Sequence, residues 1–288
     1  MPAANFHKDD LRDCAALVKK TKERAFFAVK FLPKDARDAV LVLRAFVHIA
    51  LSHKDAGDAQ KLAIFKDAWR AALISAPPIS IPAAWFSVLR ATSEVFRVYK
   101  ISAAEGDLFF TALEKDLDRG LCVPQSDIDE IEAGMAAIGR MFAKAVQCED
   151  ERGVIACGEV ARAMYRTESL VRFEASVVKH RRVSMSVEMC RSVGVEDEHV
   201  TAGRVSPELI ALFKKHIFET RQIYRGAERA LALLPMGSSR AARVIAAIYE
   251  SKLDRVVAQK YDVFHGARKP SITMRLLVSI RLWIRLRG

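Results

Sequence analysis

Metal or acid–base chemistry in this chain would have to come from few residues. A largely apolar run, residues 36–51, carries His48 and is followed by His53, Lys54, Asp55 and Asp58. Two carboxylates four residues apart share one face of a helix and suit Mg²⁺, which takes hard oxygen ligands. Asp55 has Leu51 rather than an acid at that spacing, so Asp55 and Asp58 read as solvated residues after a helix end. His48 and His53 are five apart, which points their rings in different directions and makes a poor transition-metal pair. The five cysteines, Cys14, Cys122, Cys148, Cys157 and Cys190, are odd in number, widely spaced and without a C-x-x-C pair. That is a poor disulfide framework and a poor zinc site, and it fits a reducing compartment. Cys14 and Cys157 fall on apolar faces, where a cysteine behaves as a small hydrophobe. No phosphate-binding glycine loop and no Ser-His-Asp or Cys-His arrangement is legible.

Positive charge is the stronger signal. The 288 residues hold 46 Lys+Arg against 35 Asp+Glu, a formal net charge of +11. Residues 1–150 carry 21 basic and 21 acidic side chains, and residues 151–288 carry 25 and 14, so the whole excess lies in the second half. One basic surface is the natural reading. Its candidate docking residues are Lys179, Arg181 and Arg182 around His180, then Arg268, Lys269, Arg275, Arg281 and Arg285 in a tail without acids. With Trp283 beside them, the tail residues suit an acidic protein partner or anionic lipid headgroups. Nucleic acid, rRNA for example, fits less well: aromatic side chains for base stacking are not interleaved, leaving phosphate contacts alone.

The elements that must position these groups are helices. Residues 36–51 are polar only at Arg37, Asp38, Arg44 and His48, and similar periodicity covers about 10–31, 61–74, 83–98, 105–119, 127–147, 154–178, 206–234, 239–264 and 271–286. Ser206 before Pro207 and Glu208 is a helix start. Breaks fall at Pro33, Pro77–Pro82, Gly120–Pro124, Gly194–Gly203, Pro235–Gly237 and Gly266–Pro270. The nineteen-residue uncharged stretch Ala71–Leu89 has the length of a membrane span, but Pro77, Pro78 and Pro82 make it a loop between helices. With few glycines and 8% aromatic residues, a many-stranded barrel or sandwich is unlike this composition. The expectation is an all-α chain of about ten helices forming one domain, with residues 266–288 as its basic C-terminal helix.

Several stretches line up with one family. Arg24-Ala-Phe-Phe-Ala-Val-Lys-Phe-Leu-Pro33, Arg37 and Leu43-Arg-Ala-Phe46 resemble the opening of squalene and phytoene synthases. Ala133-Gly134 with Gly139, and Gly158, resemble family glycines on middle helices. Tyr224 to Pro235, Ala247-Ile-Tyr249, Lys260-Tyr-Asp-Val-Phe264, Arg268 and Ser271-Ile-Thr-Met have the order and spacing of its C-terminal segments. The resemblance covers roughly residues 14–286 and implies an all-helical isoprenoid-synthase bundle with a central cavity. It also implies two Asp-rich motifs on facing helices that hold Mg²⁺ for the joining of prenyl diphosphates.

At those motifs the chain departs from the pattern. The first falls on Leu51-Ser52-His53-Lys54-Asp55, where Asp55 alone is acidic at a motif position. The second falls on Glu168 to Phe173, with Ser169 and Phe173 where aspartates are expected. The expectation is therefore a non-catalytic member without catalytic residues, resident metal or cofactor. Its nearest analogue in kind is the phytoene-synthase-like assembly factor of mitochondrial respiratory complex I. That resemblance implies a scaffold, either an assembly factor or an accessory subunit of a large respiratory or ribosomal assembly. It would sit in mitochondria, on the matrix side or peripheral to the inner membrane, with the bacterial cytoplasm as the other location. The alternatives are an active prenyl-diphosphate transferase in which Arg24, Arg37 and Lys54 compensate, or a module that binds an isoprenoid or quinone in the cavity.

Overall fold

The computed structural model describes residues 4–20, 29, 31–78 and 80–264, and all regular elements among them are helical apart from one isolated bridge between Val123 and Ser186. The order is α1 (Lys8–Lys20), α2 (Lys34–Ala56), α3 (Ala59–Ile74), α4 (Ala83–Val98), α5 (Ala103–Asp118), α6 (Gln125–Ala145) and α7 (Glu151–Val171). There follow α8 (Phe173–His180), α9 (Val187–Arg191), α10 (Asp197–Thr201), α11 (Pro207–Glu228), a 3₁₀ turn (Ala230–Leu233) and α12 (Met236–Ala258).

Two hydrophobic cores lie along this array. One is built from α1–α5 with one side of α6. The Phe46 ring is its centre, with Phe65, Trp69, Phe96, Phe109 and Phe110 at centroid distances of 5.6 to 6.5 Å. The other runs from the start of α2 and the end of α6 through α7 to α12, where Phe173 meets Phe213 and Phe264 edge-on at 5.0 and 5.7 Å. α2 and α6 contribute to both cores, which explains why residues 36–51 are apolar on most sides.

The helix starts follow local chemistry. Ser206 caps α11, its hydroxyl accepting from the Leu209 N–H at 3.2 Å with Pro207 in the first turn. Asp58 caps α3 in the same way, accepting from the Lys61 N–H at 2.9 Å. The proline stretch before α4 is a connection, as the sequence requires, and no helix among the described residues is long and apolar enough to cross a membrane.

Three boundaries differ from the periodicity. The segment 154–178 divides at Arg172 (φ −101°, ψ 18°), which turns Phe173 into the core. Two five-residue helices were not expected: α9 arises in the stretch before the break read at Gly194–Gly203, and α10 within that break. The stretch 206–234 closes with the 3₁₀ turn. The expected helix 271–286 lies outside the described residues.

Glycines at the family-like positions let α5, α6 and α7 approach closely. A Cβ on Gly134 would lie 2.2 Å from the Ala112 Cβ, and one on Gly139 would lie 2.0 Å from the Cys157 carbonyl oxygen. Backbone cannot move aside as a side chain can, so Gly139→Ala must push α6 and α7 apart. That overpacking is expected to cost about 2–3 kcal/mol, read as a lower urea midpoint with an unchanged slope.

Candidate functional site

Helices α2, α5 and α7 end close together, and a helix C-terminus presents unpaired carbonyls and the negative end of the macrodipole. Each end carries a cation: Lys54 in the last turn of α2, Arg119 at the cap of α5 and Arg172 at the cap of α7. Such placement is locally favourable, and here Lys54 and Arg172 also reach carboxylates on neighbouring helices, while Arg119 pairs with Asp116 of its own helix.

Asp116 of α5 is the buried centre. Its carboxylate lies 3.2 Å from the Lys54 ammonium and is paired with the Arg119 guanidinium. The Tyr165 hydroxyl of α7 lies 3.4 Å from the same carboxylate and 3.3 Å from the Ser184 hydroxyl. Arg119 donates to Ser184 at 2.8 Å and to the Val183 carbonyl, and Arg182 donates to the Leu117 carbonyl at 2.6 Å. The chain after α8 is thereby fastened to the end of α5. Burial would raise the Asp116 carboxyl, but Lys54 and Arg119 outweigh it and hold the group below the usual carboxylate range. Burial likewise works against the Lys54 charge, and Asp116 and Asp55 more than offset it, so its pKa is raised.

Outside this centre lies a second set. Asp55 receives Lys54 at 3.0 Å on one side and Arg172 at 3.3 Å on the other. Arg172 also pairs with Glu168 one turn back at 3.3 Å, and Glu168 pairs with Lys252 of α12. Lys252 in turn stands 3.8 Å from the centre of the Tyr249 ring, a cation–π arrangement. Lys179 reaches the Asp55 carbonyl at 3.4 Å.

Deeper between α2, α7, α11 and α12 the lining is polar. Arg44 faces Tyr249, and burial lowers the Arg44 pKa while pushing the Tyr249 phenol up to about 12. The Thr167 and Tyr224 hydroxyls lie 3.1 Å apart. His48 stands near Arg44 and Asp55 and is held toward the neutral form by burial and then by Arg44. Two clefts lie among the described residues. One, of about 20 Å³ beside Val171, Lys252 and Val256, has room for about one water. The other, of about 500 Å³, is an open groove among α3, α4 and the start of α5.

The expected residues separate in space. Leu51 packs against the aromatic core, and the Ser52 hydroxyl donates to the Ile49 carbonyl of its own helix at 2.7 Å. Ser169 is half-buried and Phe173 is core; Arg172, one residue before Phe173, reaches Asp55 of α2, and Glu168, one residue before Ser169, pairs with Arg172 and with Lys252 of α12. His53 turns away from His48 and packs edge-on against Trp85 at 5.1 Å. Lys179 and Arg181 are exposed, whereas Arg182 is half-buried. Arg268, Lys269, Arg275, Arg281 and Arg285 lie outside the described residues, as does Arg24.

Asp116, Arg119, Tyr165, Ser184 and Lys252 were not singled out in the sequence. The available signal was Asp116 three residues before Arg119 at a helix end, which is an ordinary surface pattern until Lys54 is brought against it.

Asp55 and Glu168 already share Arg172 and hold Lys54 and Lys252 respectively, and no group of three His, Cys, Asp or Glu side chains suited to a metal occurs among the described residues. The donor set does not fit Mg²⁺.

The model of squalene/phytoene synthases matches residues 18–275. The chain belongs to the squalene/phytoene synthase family. Among solved structures, a dehydrosqualene synthase in complex with ligand superposes with a TM-score of 0.84 at 20% identity, covering 97% of both chains. The squalene synthase HpnC from Alicyclobacillus acidocaldarius gives 0.75 at 13% identity, covering 88% of this chain and 95% of that one. YisP from Bacillus subtilis gives 0.64 at 16% identity, covering 94% and 96%. These likenesses establish the isoprenoid-synthase fold. No curated protein matches the chain.

The buried pairs set a pH signature. A carboxyl depressed in the folded state contributes stability above its unfolded pKa, and this is lost as pH falls through the folded value. Asp116→Asn should therefore flatten the loss of stability of the native chain below about pH 4, measured by urea unfolding across that range. Lys54→Met leaves Asp116 short of one counter-charge in a dry site and should cost about 3 kcal/mol at neutral pH.

Proposed function

We propose that this squalene/phytoene-synthase-family chain is non-catalytic and serves as a scaffold, an assembly factor or accessory subunit of a large mitochondrial complex of the respiratory complex I type. One observation carries the reading. Asp55, the one acid kept at a motif position, and Glu168, which stands beside the second motif's Ser169, are joined through Arg172 and flanked by Lys54 and Lys252. Glu168 and Arg172 keep the four-residue spacing of a second motif, with a cation at the second position. A bound diphosphate needs external positive charge to enter an apolar interior and to leave as an anion. Here that positive charge is supplied by the chain and is spent on its own carboxylates.

The remaining exposed cations support docking. Arg181 ends α8 in the left-handed conformation (φ 50°), where it projects beside exposed Lys179 and Val178, the last 73% exposed. An apolar side chain within a basic rim suits an acidic protein surface. Placement in mitochondria, on the matrix side or against the inner membrane, is part of the proposal and rests on the resemblance to the complex I assembly factor and on the basic second half.

Two measurements test this. Purified chain incubated with farnesyl diphosphate and Mg²⁺ should release no diphosphate above background, and titration calorimetry should detect no Mg²⁺ binding at millimolar concentration. Turnover would overturn the non-catalytic reading. Tagged chain recovered from native mitochondrial extract should bring down a high-mass complex, and Lys179→Glu with Arg181→Glu should reduce that recovery at least tenfold at unchanged thermal stability. A chain recovered alone would overturn the scaffold reading.

A further inference from the structure

Two cysteines from distant parts of the sequence are brought side by side next to this network. The segment 121–123 between α5 and α6 runs parallel to the segment 183–187. The Val183 N–H donates to the Leu121 carbonyl and the Val187 N–H to the Val123 carbonyl, each at 2.9 Å, with Val123 bridged to Ser186. Backbones paired in this way lie about 5 Å apart. Cys190 follows one helical turn after Ser186, its N–H donating to the Ser186 carbonyl at 2.9 Å. The paired segments thus bring the two cysteines close together, with Cys190 inside the second core and Cys122 packed against it. Both thiols are unoxidised here. Cys190 is buried and Cys122 is half-buried, which leaves Cys122 as the sulfur a small oxidant meets first.

We infer that Cys122 and Cys190 form a reversible redox site, in which a hydroperoxide oxidises the pair to a disulfide that links the α5–α6 connection to α9. Cys122 is the attacking sulfur. Hydrogen bonding with Cys190 lowers its pKa, and the Arg119 guanidinium acts in the same direction against burial and Asp197. The Cys122 thiolate attacks one peroxide oxygen, the O–O bond breaks and hydroxide leaves, giving a sulfenic acid. The Cys190 sulfur then attacks the Cys122 sulfur, and the S–O bond breaks. Water departs with the Cys190 proton. The two thiols are oxidised to one disulfide; hydrogen peroxide is thereby reduced to two molecules of water, the leaving hydroxide taking up the proton released by Cys122. A small thiol such as glutathione reverses the reaction by exchange.

The other cysteines are unsuited to this chemistry. Burial pushes Cys14 and Cys157 up to about 12, and it also raises Cys148. They serve as internal references on the same chain.

The experiment exposes the fully reduced, full-length chain to hydrogen peroxide at neutral pH and maps the thiols by mass spectrometry without reduction. The expected product lacks two hydrogen atoms and carries a Cys122–Cys190 cross-linked peptide, with Cys122 consumed at least ~10-fold faster than Cys14 or Cys157. Dithiothreitol should restore all five free thiols. Cys190→Ser should halt the reaction at a Cys122 sulfenic acid that dimedone traps, and Cys122→Ser should remove the reaction while leaving circular dichroism unchanged. A folded native chain in which Cys122 oxidises without linking to Cys190, or in which Cys14 or Cys157 reacts at the same rate, overturns the inference.

Discussion

A carboxylate without water needs its counter-charges supplied by the fold, and Asp116 is that group here. Its partners come from α2, through Lys54, and from the end of its own helix, through Arg119. Arg119 also holds Ser184 and the Val183 carbonyl, so one neutralisation problem draws together the ends of α2 and α5 and the chain after α8. The macrodipoles of these helix ends favour the same cations, and the local and long-range electrostatics agree. The outer pairs around Asp55 are more exposed and contribute less to stability individually. Their importance is positional, since they occupy the space between α2 and α7.

The close approach of α5, α6 and α7 sets the distances over which this network works. Small residues at Gly134 and Gly139 let backbone touch backbone or Cβ, which fixes α7 relative to α5. Tyr165 and Asp116 are in reach of each other for that reason. A wider spacing would admit water and weaken every pair in the set. Behind α7 a second buried arrangement uses the same logic: Arg166 joins Glu132 of α6 at 3.0 Å to Glu219 of α11 at 2.8 Å, and His216 contacts the Arg166 carbonyl at 3.0 Å. Burial keeps His216 neutral, with a pKa near 3. Both faces of α7 are therefore tied by charge, and hydrophobic contacts fill the remainder.

Much of the fold was legible because helix periodicity is local. Ser206–Pro207 and the proline stretch before α4 marked boundaries through backbone chemistry that needs no partner. The break at Arg172 was not legible, since continuous apolar spacing runs through it and only the packing of Phe173 against Phe213 and Phe264 decides the turn. The reading by sequence order put Ser169 and Phe173 at the second motif; in the structure the residues just before them, Glu168 and Arg172, make ion pairs with Lys252 and Asp55. Asp55 was found because its helix resembles the family. Asp116 and Lys252 were not, because the partners that single them out, Lys54 and Glu168, lie 62 and 84 residues away.

Lys54 differs from a metal ion in one respect that reaches beyond geometry. A dissociable ion contributes a stabilisation that grows with its free concentration and vanishes when the ion is withdrawn. An ammonium on the chain has a fixed, intramolecular effective concentration. The charge balance at the end of α2 is set when the polypeptide folds, and it is indifferent to changes in the ionic composition around it other than general screening. The charge balance at this helix end therefore needs no dissociable partner and is complete as soon as the chain has folded.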